Sequence, residues 1–365
     1  MGDAEAKHAT IDPINAIVGM VASLDSTARP LVISFAQQPL MRRAAALFND
    51  LDVRFIGDIG APTRMDTFSQ ARAMIAAGNA VNERTLAPWG QLEYVQTLGS
   101  GYNNLDLAAL AFRRIVAAHN RGQNAQAVAE HVLMSAMYLL RDMGDAHEMV
   151  LDGSFGDRQR LAGSIRDLSG LSLGIYGLGS IGQRLAAFGK AFDLHMVYHQ
   201  RHRNLAWEKE TAIRYVSAGA LWGMSDIVVL AVPLTEATYH LAGPEVLSQM
   251  KPSAVLINVG RGAVVDEHAL ADVLMRRAIY GAALDVFESE PLDASSPLRN
   301  LPLEIRRRVL FSPHIAGMTT QSLERMAASA LRNVQHYFSH EPIQDQLIPE
   351  DGANPWDWRN ALLQK

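Results

Sequence analysis

A chain of 365 residues is long for one hydrophobic core and leaves room for two domains. Apolar residues make up 48% of it and the formal net charge is −5, the profile of an ordinary globular protein and not of a nucleic-acid-binding one with a basic face. It contains no cysteine, which excludes disulfides, thiolate metal sites and cysteine nucleophiles, and no metal site is expected.

Residues 1–29 form an N-terminal extension with acids at Asp3 and Glu5, where an export signal wants bases, and an apolar patch from Ile14 to Ala22 broken by Asn15 and Gly19. The extension reads either as a frayed arm or as an extra helix for a partner subunit. No stretch approaches the apolar length of a membrane span, so a soluble, cytoplasmic protein without a membrane partner is expected.

From Pro30 the sequence alternates short apolar runs with helical ones: LVISFA, LMRRAAALF, VRFIG, a helix-like run near Thr67 to Ala77, then LEYVQTL. This alternation predicts a parallel sheet with helices on its faces. The strand Leu92 to Leu98 runs into Gly99-Ser100-Gly101-Tyr102-Asn103-Asn104, a loop at the strand end where α/β sheets bind ligands, or else a plain glycine turn. After a strand at Ile115 to Ala118, the segment AVAEHVLMSAMYLLRDM predicts a long apolar helix whose methionines are packing residues and whose face suits a dimer seam. Residues Leu151 to Asp167 read as an exposed crossover.

Leu171 to Phe192 then carries five largely apolar residues into Gly177-Leu178-Gly179-Ser180-Ile181-Gly182 and straight on into an amphipathic run. That is a strand turning into a helix through a phosphate-binding loop, with Gly177 for the tight turn, Gly179 for backbone approach to a pyrophosphate and Gly182 for close helix packing. The next strand, about His195 to Tyr198, ends near Gln200, where an NAD-binding protein carries an acid for the ribose diol. A neutral amide beside Arg201 can accept a 2′-phosphate, which favours NADP(H); a solvated basic loop with NAD(H) as the cofactor is the alternative. Strands at Ile227 to Val232, Ala254 to Val259 and Ala282 to Val286 complete a second doubly wound sheet, with Pro233 and Val259 at strand ends that face the cofactor.

Three titratable or charged residues also fall at strand ends of this sheet: Arg261 after INVG, Glu290 after LDVFES and His314 after LFSP. An arginine there can fork onto a carboxylate, a histidine can exchange a proton near neutral pH, and a glutamate can fix that histidine's tautomer. Each also has a plainer reading: one of twelve histidines in a structural role, an acid opening a turn before Pro291, a helix-cap partner.

Over roughly Leu92 to Pro342 the chain resembles the D-isomer-specific 2-hydroxyacid dehydrogenases, through LGSGYNNLDL, AVAEHVLM, LGIYGLGSIGQRLA, SDIVVLAVPLTEATYHL, LINVGRGAVVDEHAL, GAALDVFESEPL and SPHIAGMT in that order. The resemblance implies a Rossmann cofactor domain (residues 122–315) inserted in a flavodoxin-like substrate domain (30–121 and 316–345), followed by a tail at 346–365, with the site in the cleft between the domains. It implies that Arg261 binds the carboxylate and keto oxygen of a 2-keto acid, that His314 is the general acid/base oriented by Glu290, and that amides of Gly99, Ser100 and Gly101 complete the carboxylate cradle. Asp285 would hold the nicotinamide carboxamide; AVAEH following Asn124 also resembles formate dehydrogenases, a likeness by which Asn124 would contact substrate. The expected activity is NAD(P)H-dependent reduction of a 2-keto acid such as glyoxylate or hydroxypyruvate to the D-2-hydroxy acid, by a homodimer. FDLHMVYHQRHR also resembles formate dehydrogenases, a branch expected to carry glutamine where this chain has Glu290. A dinucleotide-sensing corepressor of similar fold is the non-enzymatic alternative, disfavoured by the lack of extended interaction tails. Gln37, Gln38, Pro39 and Leu40 are placed to shape the substrate pocket, and Trp356 and Trp358 to pack on the body or on a neighbouring subunit.

Overall fold

Runs of two to five residues, many buried on both faces, alternate with helices through residues 29–348, the part of the chain that this computed structural model describes. Such double burial demands apolar side chains at successive positions, which is why the strands read as continuous Val/Ile/Leu/Ala runs. The described residues fall into two compact units, one running to Asn124 and resuming at Thr320, the other spanning Ala125–Thr319.

In the first unit β1 (Leu31–Ser34), β2 (Asp52–Phe55), β3 (Ala73–Ala76), β4 (Tyr94–Thr97) and β5 (Val116–Ala118) pair in parallel in the order β5-β4-β3-β1-β2. Val32, Ala73, Ile75, Tyr94 and Val116 pack on one face against the helix Thr320–Phe338. Leu31, Ile33, Met74, Ala76 and Val95 pack on the other with Leu86, Trp89 and Leu110. The alternation is the two-residue period of a strand, used twice because both faces are covered.

The second unit carries β6 (Ser172–Tyr176), β7 (His195–His199), β8 (Arg214–Tyr215), β9 (Ile227–Leu230), β10 (Val255–Asn258), β11 (Gly281–Leu284) and β12 (Val309–Phe311). All are parallel, in the order β12-β11-β10-β9-β6-β7-β8. The strand order reverses between β6 and β9, the switch point at which doubly wound sheets open a crevice beyond their carboxyl ends. The helix Ala125–Leu140 packs on one face of this sheet, where Val128, Val132 and Ala136 join Ile175, Val229 and Ile257.

The expected α/β class with two parallel sheets is therefore found, with local differences. The run read as a helix from Thr67 to Ala77 divides into a helix at Arg64–Gln70 and strand β3, a short central strand of Ala, Met and Ile that periodicity cannot tell from a helical turn. The tail expected from residue 346 begins as β13 (Gln346–Ile348), antiparallel to β5. The crossover from Leu151 to Asp167 contains an exposed 3-10 helix at Ser154–Leu161. The readings of residues 1–28 and of Trp356 and Trp358 lie outside the described residues. Among the described residues no helix is long and apolar enough to cross a membrane.

Candidate active site

The loop after β6 is shaped by its first glycine. Gly177 has φ +103°, and a Cβ there would lie 2.7 Å from the Ala231 carbonyl oxygen, so both conformation and space require glycine. Gly182, one turn into the helix Ser180–Ala191, would bring a Cβ to 2.5 Å from the Gly177 carbonyl oxygen. Gly179 is different, since a Cβ there would meet nothing within 4 Å. Among the described residues no side chain caps that helix, which leaves its first-turn N–H groups and its positive dipole end available to an anion. Room beside Gly179 and uncapped donors at Ser180, Ile181 and Gly182 fit a dinucleotide pyrophosphate.

Gln200 folds back onto this loop. Its Oε1 accepts the Leu178 N–H at 3.1 Å and its Nε2 donates to the His202 carbonyl at 2.5 Å. Arg203 forks onto Glu208 at 2.7 and 2.6 Å, whereas among the described residues the exposed Arg201 makes a single 3.1 Å side-chain contact, to His202. Farther along the sheet the exposed Pro233 follows β9, and the buried Val259 follows β10 with its N–H on the Leu230 carbonyl at 3.2 Å.

Arg261 stands just beyond β10 between two glycines that admit no side chain. A Cβ on Gly260 would lie 2.7 Å from the Val232 carbonyl, and one on Gly262 would collide with the backbone of Phe287 and Glu288. The Asn258 side chain ties the segment together, donating to the Arg261 carbonyl at 2.9 Å and accepting the Gly260 N–H at 3.1 Å. Burial pushes the Arg261 guanidinium below its ordinary pKa, and the charge of Glu290 opposes that shift.

Glu290 lies on the loop after β11. One of its oxygens accepts the Phe287 N–H at 3.2 Å and the other meets His314 Nδ1 at 2.8 Å. The loop is braced by a reciprocal pair in which Glu267 N–H donates to Glu288 Oε1 at 3.1 Å and Glu288 N–H donates to Glu267 Oε1 at 2.9 Å. Ser296 adds a bond to the other Glu267 oxygen at 2.7 Å. His314 has φ +55°, a left-handed conformation unusual for a residue with a side chain, and its N–H donates to the Asp285 carbonyl at 2.8 Å. The second unit thus brings Arg261, Glu290, His314 and Asp285 together.

Gly99, Ser100, Gly101 and Asn124 belong to the first unit. The Gly99 carbonyl accepts from Thr97 Oγ1 at 2.6 Å and from the Asn120 N–H at 3.1 Å, and the Ser100 carbonyl takes His119 Nδ1 at 2.8 Å. With its carbonyls so engaged, the loop is held with its amide side unoccupied by these partners. Asn124 is half-buried immediately before the helix Ala125–Leu140. Sequence reasoning missed His119 and Asn120, whose only local signal is a polar pair directly after β5, and it missed the Glu267 brace, which has none.

A profile of the D-isomer specific 2-hydroxyacid dehydrogenase NAD-binding domain matches residues 133–316. A glyoxylate/hydroxypyruvate reductase B from Salmonella schwarzengrund (strain CVM19633) is 34% identical over 311 residues, covering 84% of this chain and 94% of that protein. The D-lactate dehydrogenase of Aquifex aeolicus, solved with NAD and lactic acid, superposes with a TM-score of 0.74 at 26% identity, covering 85% of this chain and 96% of that one. A formate dehydrogenase from Granulicella m. is similar to the same degree, with a TM-score of 0.74 and 26% identity over 85% of this chain and 83% of its own. With the matched profile spanning half the sequence, and a relative of this identity aligned over most of both chains, the protein belongs to the D-isomer-specific 2-hydroxyacid dehydrogenases.

Proposed function

We propose that the protein reduces a 2-keto acid to the D-2-hydroxy acid with a reduced nicotinamide dinucleotide, and that glyoxylate and hydroxypyruvate are substrates. The observation that carries the reading is the 2.8 Å contact between His314 Nδ1 and a Glu290 carboxylate oxygen, with Arg261 at the neighbouring strand end. A bound dinucleotide supplies the hydride. The protein supplies the rest. Arg261 forks onto the substrate carboxylate and reaches the keto oxygen. His314 gives its Nδ1–H to Glu290, so Nε2 is the nitrogen that carries the proton to the carbonyl oxygen, and the carboxylate stabilises the imidazolium that precedes transfer. Amides of Gly99, Ser100 and Gly101 complete the carboxylate cradle, and Asn124 contacts substrate. Pro233, Val259 and Asp285 line the nicotinamide end of the cofactor.

Retention of Glu290 supports a keto-acid substrate over formate, whose oxidation needs no proton exchange. NADP(H) is the proposed cofactor, because Gln200 leaves no carboxylate to repel a 2′-phosphate and Arg201 offers an exposed guanidinium. A homodimer is proposed on the face bearing Met134 and Met137, which are 42% and 39% exposed on a helix whose other face is buried, and the cytoplasm as the location. Oxidation of NADPH and NADH is followed with glyoxylate, hydroxypyruvate and larger 2-keto acids. Turnover with at least one keto acid and a higher kcat/KM for NADPH are expected; binding of cofactor without turnover of any would leave the non-enzymatic reading.

A further inference from the structure

Asp285 is 3% exposed just beyond β11, and a carboxylate so buried needs donors. All of those seen come from the segment that carries His314. Ser312 Oγ donates to Oδ1 at 2.6 Å, Ile315 N–H to Oδ1 at 2.9 Å and Ala316 N–H to Oδ2 at 2.9 Å. Together with the bond from the His314 N–H to the Asp285 carbonyl, they impose the left-handed backbone that aims the His314 ring.

The clamp has a further member on another element. His131, on the helix Ala125–Leu140, places Nε2 3.2 Å from Ser312 Oγ. A hydroxyl has one proton, and that of Ser312 goes to Asp285, so at this contact the imidazole is the donor. Burial pushes the His131 pKa below its ordinary value, with the charge of Asp285 opposing the shift, which suits a neutral ring carrying its proton on Nε2. The chain of donors runs from His131 to Ser312 to Asp285.

We propose that His131 is a positioning residue for the reaction: through Ser312 it holds the Asp285 clamp closed and so keeps His314 bonded to Glu290. Without the His131 N–H, the Ser312 hydroxyl loses the partner that fixes its direction and can turn away from Asp285. The loop then loses one of the three side-chain bonds that hold its backbone, and the His314 ring leaves Glu290 for part of the time.

The inference rests on His314 as the proton donor, and its test separates the two. His131→Leu, His131→Gln, Ser312→Ala and the double variant His131→Leu/Ser312→Ala are compared with wild type. The expected result for His131→Leu is a fall in kcat of about ten-fold, the scale of a small misplacement of a reacting group, with the keto-acid KM nearly unchanged. His131→Gln, whose amide N–H can reach the same oxygen, recovers most of the rate. The double variant is no slower than Ser312→Ala alone, because both changes break one chain. Independently of turnover, nitrogen-resolved NMR of the imidazoles reads the His314 Nδ1–H held by Glu290: present in wild type and His131→Gln, broadened or lost in His131→Leu. Additive losses, equal rates for His131→Leu and His131→Gln, or an unaltered His314 signal in His131→Leu would overturn the proposal. If wild type turns over no keto acid, the activity reading fails and the NMR comparison alone judges the clamp. If His131→Leu does not fold, Ser312→Ala carries the test, and a retained His314 signal in it rejects the clamp.

Discussion

The strand ends of β10, β11 and β12 and those of β6 and β7 share one sheet but are finished in different ways. At the first, Arg261 is wedged between glycines packed on backbone, Glu290 spends both oxygens within the unit, and Asp285 takes four bonds from residues 312–316. At the second, Gly179 borders open space, the helix beyond it has no side-chain cap, and Arg201 is exposed. Side chains that move a proton are held to tenths of an ångström by surrounding structure, while an anion site needs only donors and room. Substitutions at the first end are therefore expected to damage the reaction, and those at the second to change which dinucleotide is used.

The largest effect is expected at His314. Its replacement by alanine removes the proposed proton donor and should lower kcat by about 10²–10⁴-fold, the usual worth of general acid catalysis, with the NADPH dissociation constant within about two-fold of wild type. A kcat that stays within a few-fold of wild type would detach His314 from the chemistry. Replacing Arg261 by glutamine would remove the proposed charge-assisted fork, worth about 1.5–3 kcal/mol, so kcat/KM for the keto acid should fall by roughly 10–100-fold, chiefly through KM. Steady-state kinetics checks this, and an unchanged KM would place the carboxylate elsewhere.

Gly262→Ala probes packing without touching a charged group. The added methyl meets the Phe287 and Glu288 backbone and must push away the loop that carries Glu290. A stability loss of about 1–3 kcal/mol in denaturant unfolding is expected, with a lower kcat in the fraction that folds. Equal stability and rate would mean that the close approach does not set the position of Glu290. The smallest effect is expected at the open end. Gln200→Asp places a carboxylate at the proposed ribose contact and should shift the kcat/KM ratio several-fold from NADPH towards NADH by like-charge repulsion, leaving keto-acid KM alone. An unmoved ratio would locate the ribose contacts away from Gln200.

These two ends also differed in how far the sequence revealed them. The glycine turn and the strands around it were legible because a buried strand, a fixed glycine spacing and an amphipathic helix are all local patterns. Arg261, Glu290 and His314 could be read as strand-end residues, and His314 Nδ1 lies 2.8 Å from a Glu290 carboxylate oxygen, the contact on which the proposed roles rest. What holds them in place was not legible, because His131 and Ser312, or Glu267 and Ser296, meet only through the fold and leave no spacing signature. The fold-back of Gln200 onto the Leu178 N–H was hidden for the same reason. Among the elements, β3 was lost to a helix because four consecutive buried residues, Ala, Met, Ile and Ala, carry no strand-specific period, and β8, two residues long, is too short to show one.

The most direct test of the whole account is the configuration of the product. Hydroxypyruvate is incubated with the purified protein and NADPH or NADH, and the glycerate formed is resolved by chiral chromatography. The account predicts stoichiometric loss of reduced dinucleotide and D-glycerate alone; L-glycerate, a racemate, or no consumption with this or any other 2-keto acid would contradict it.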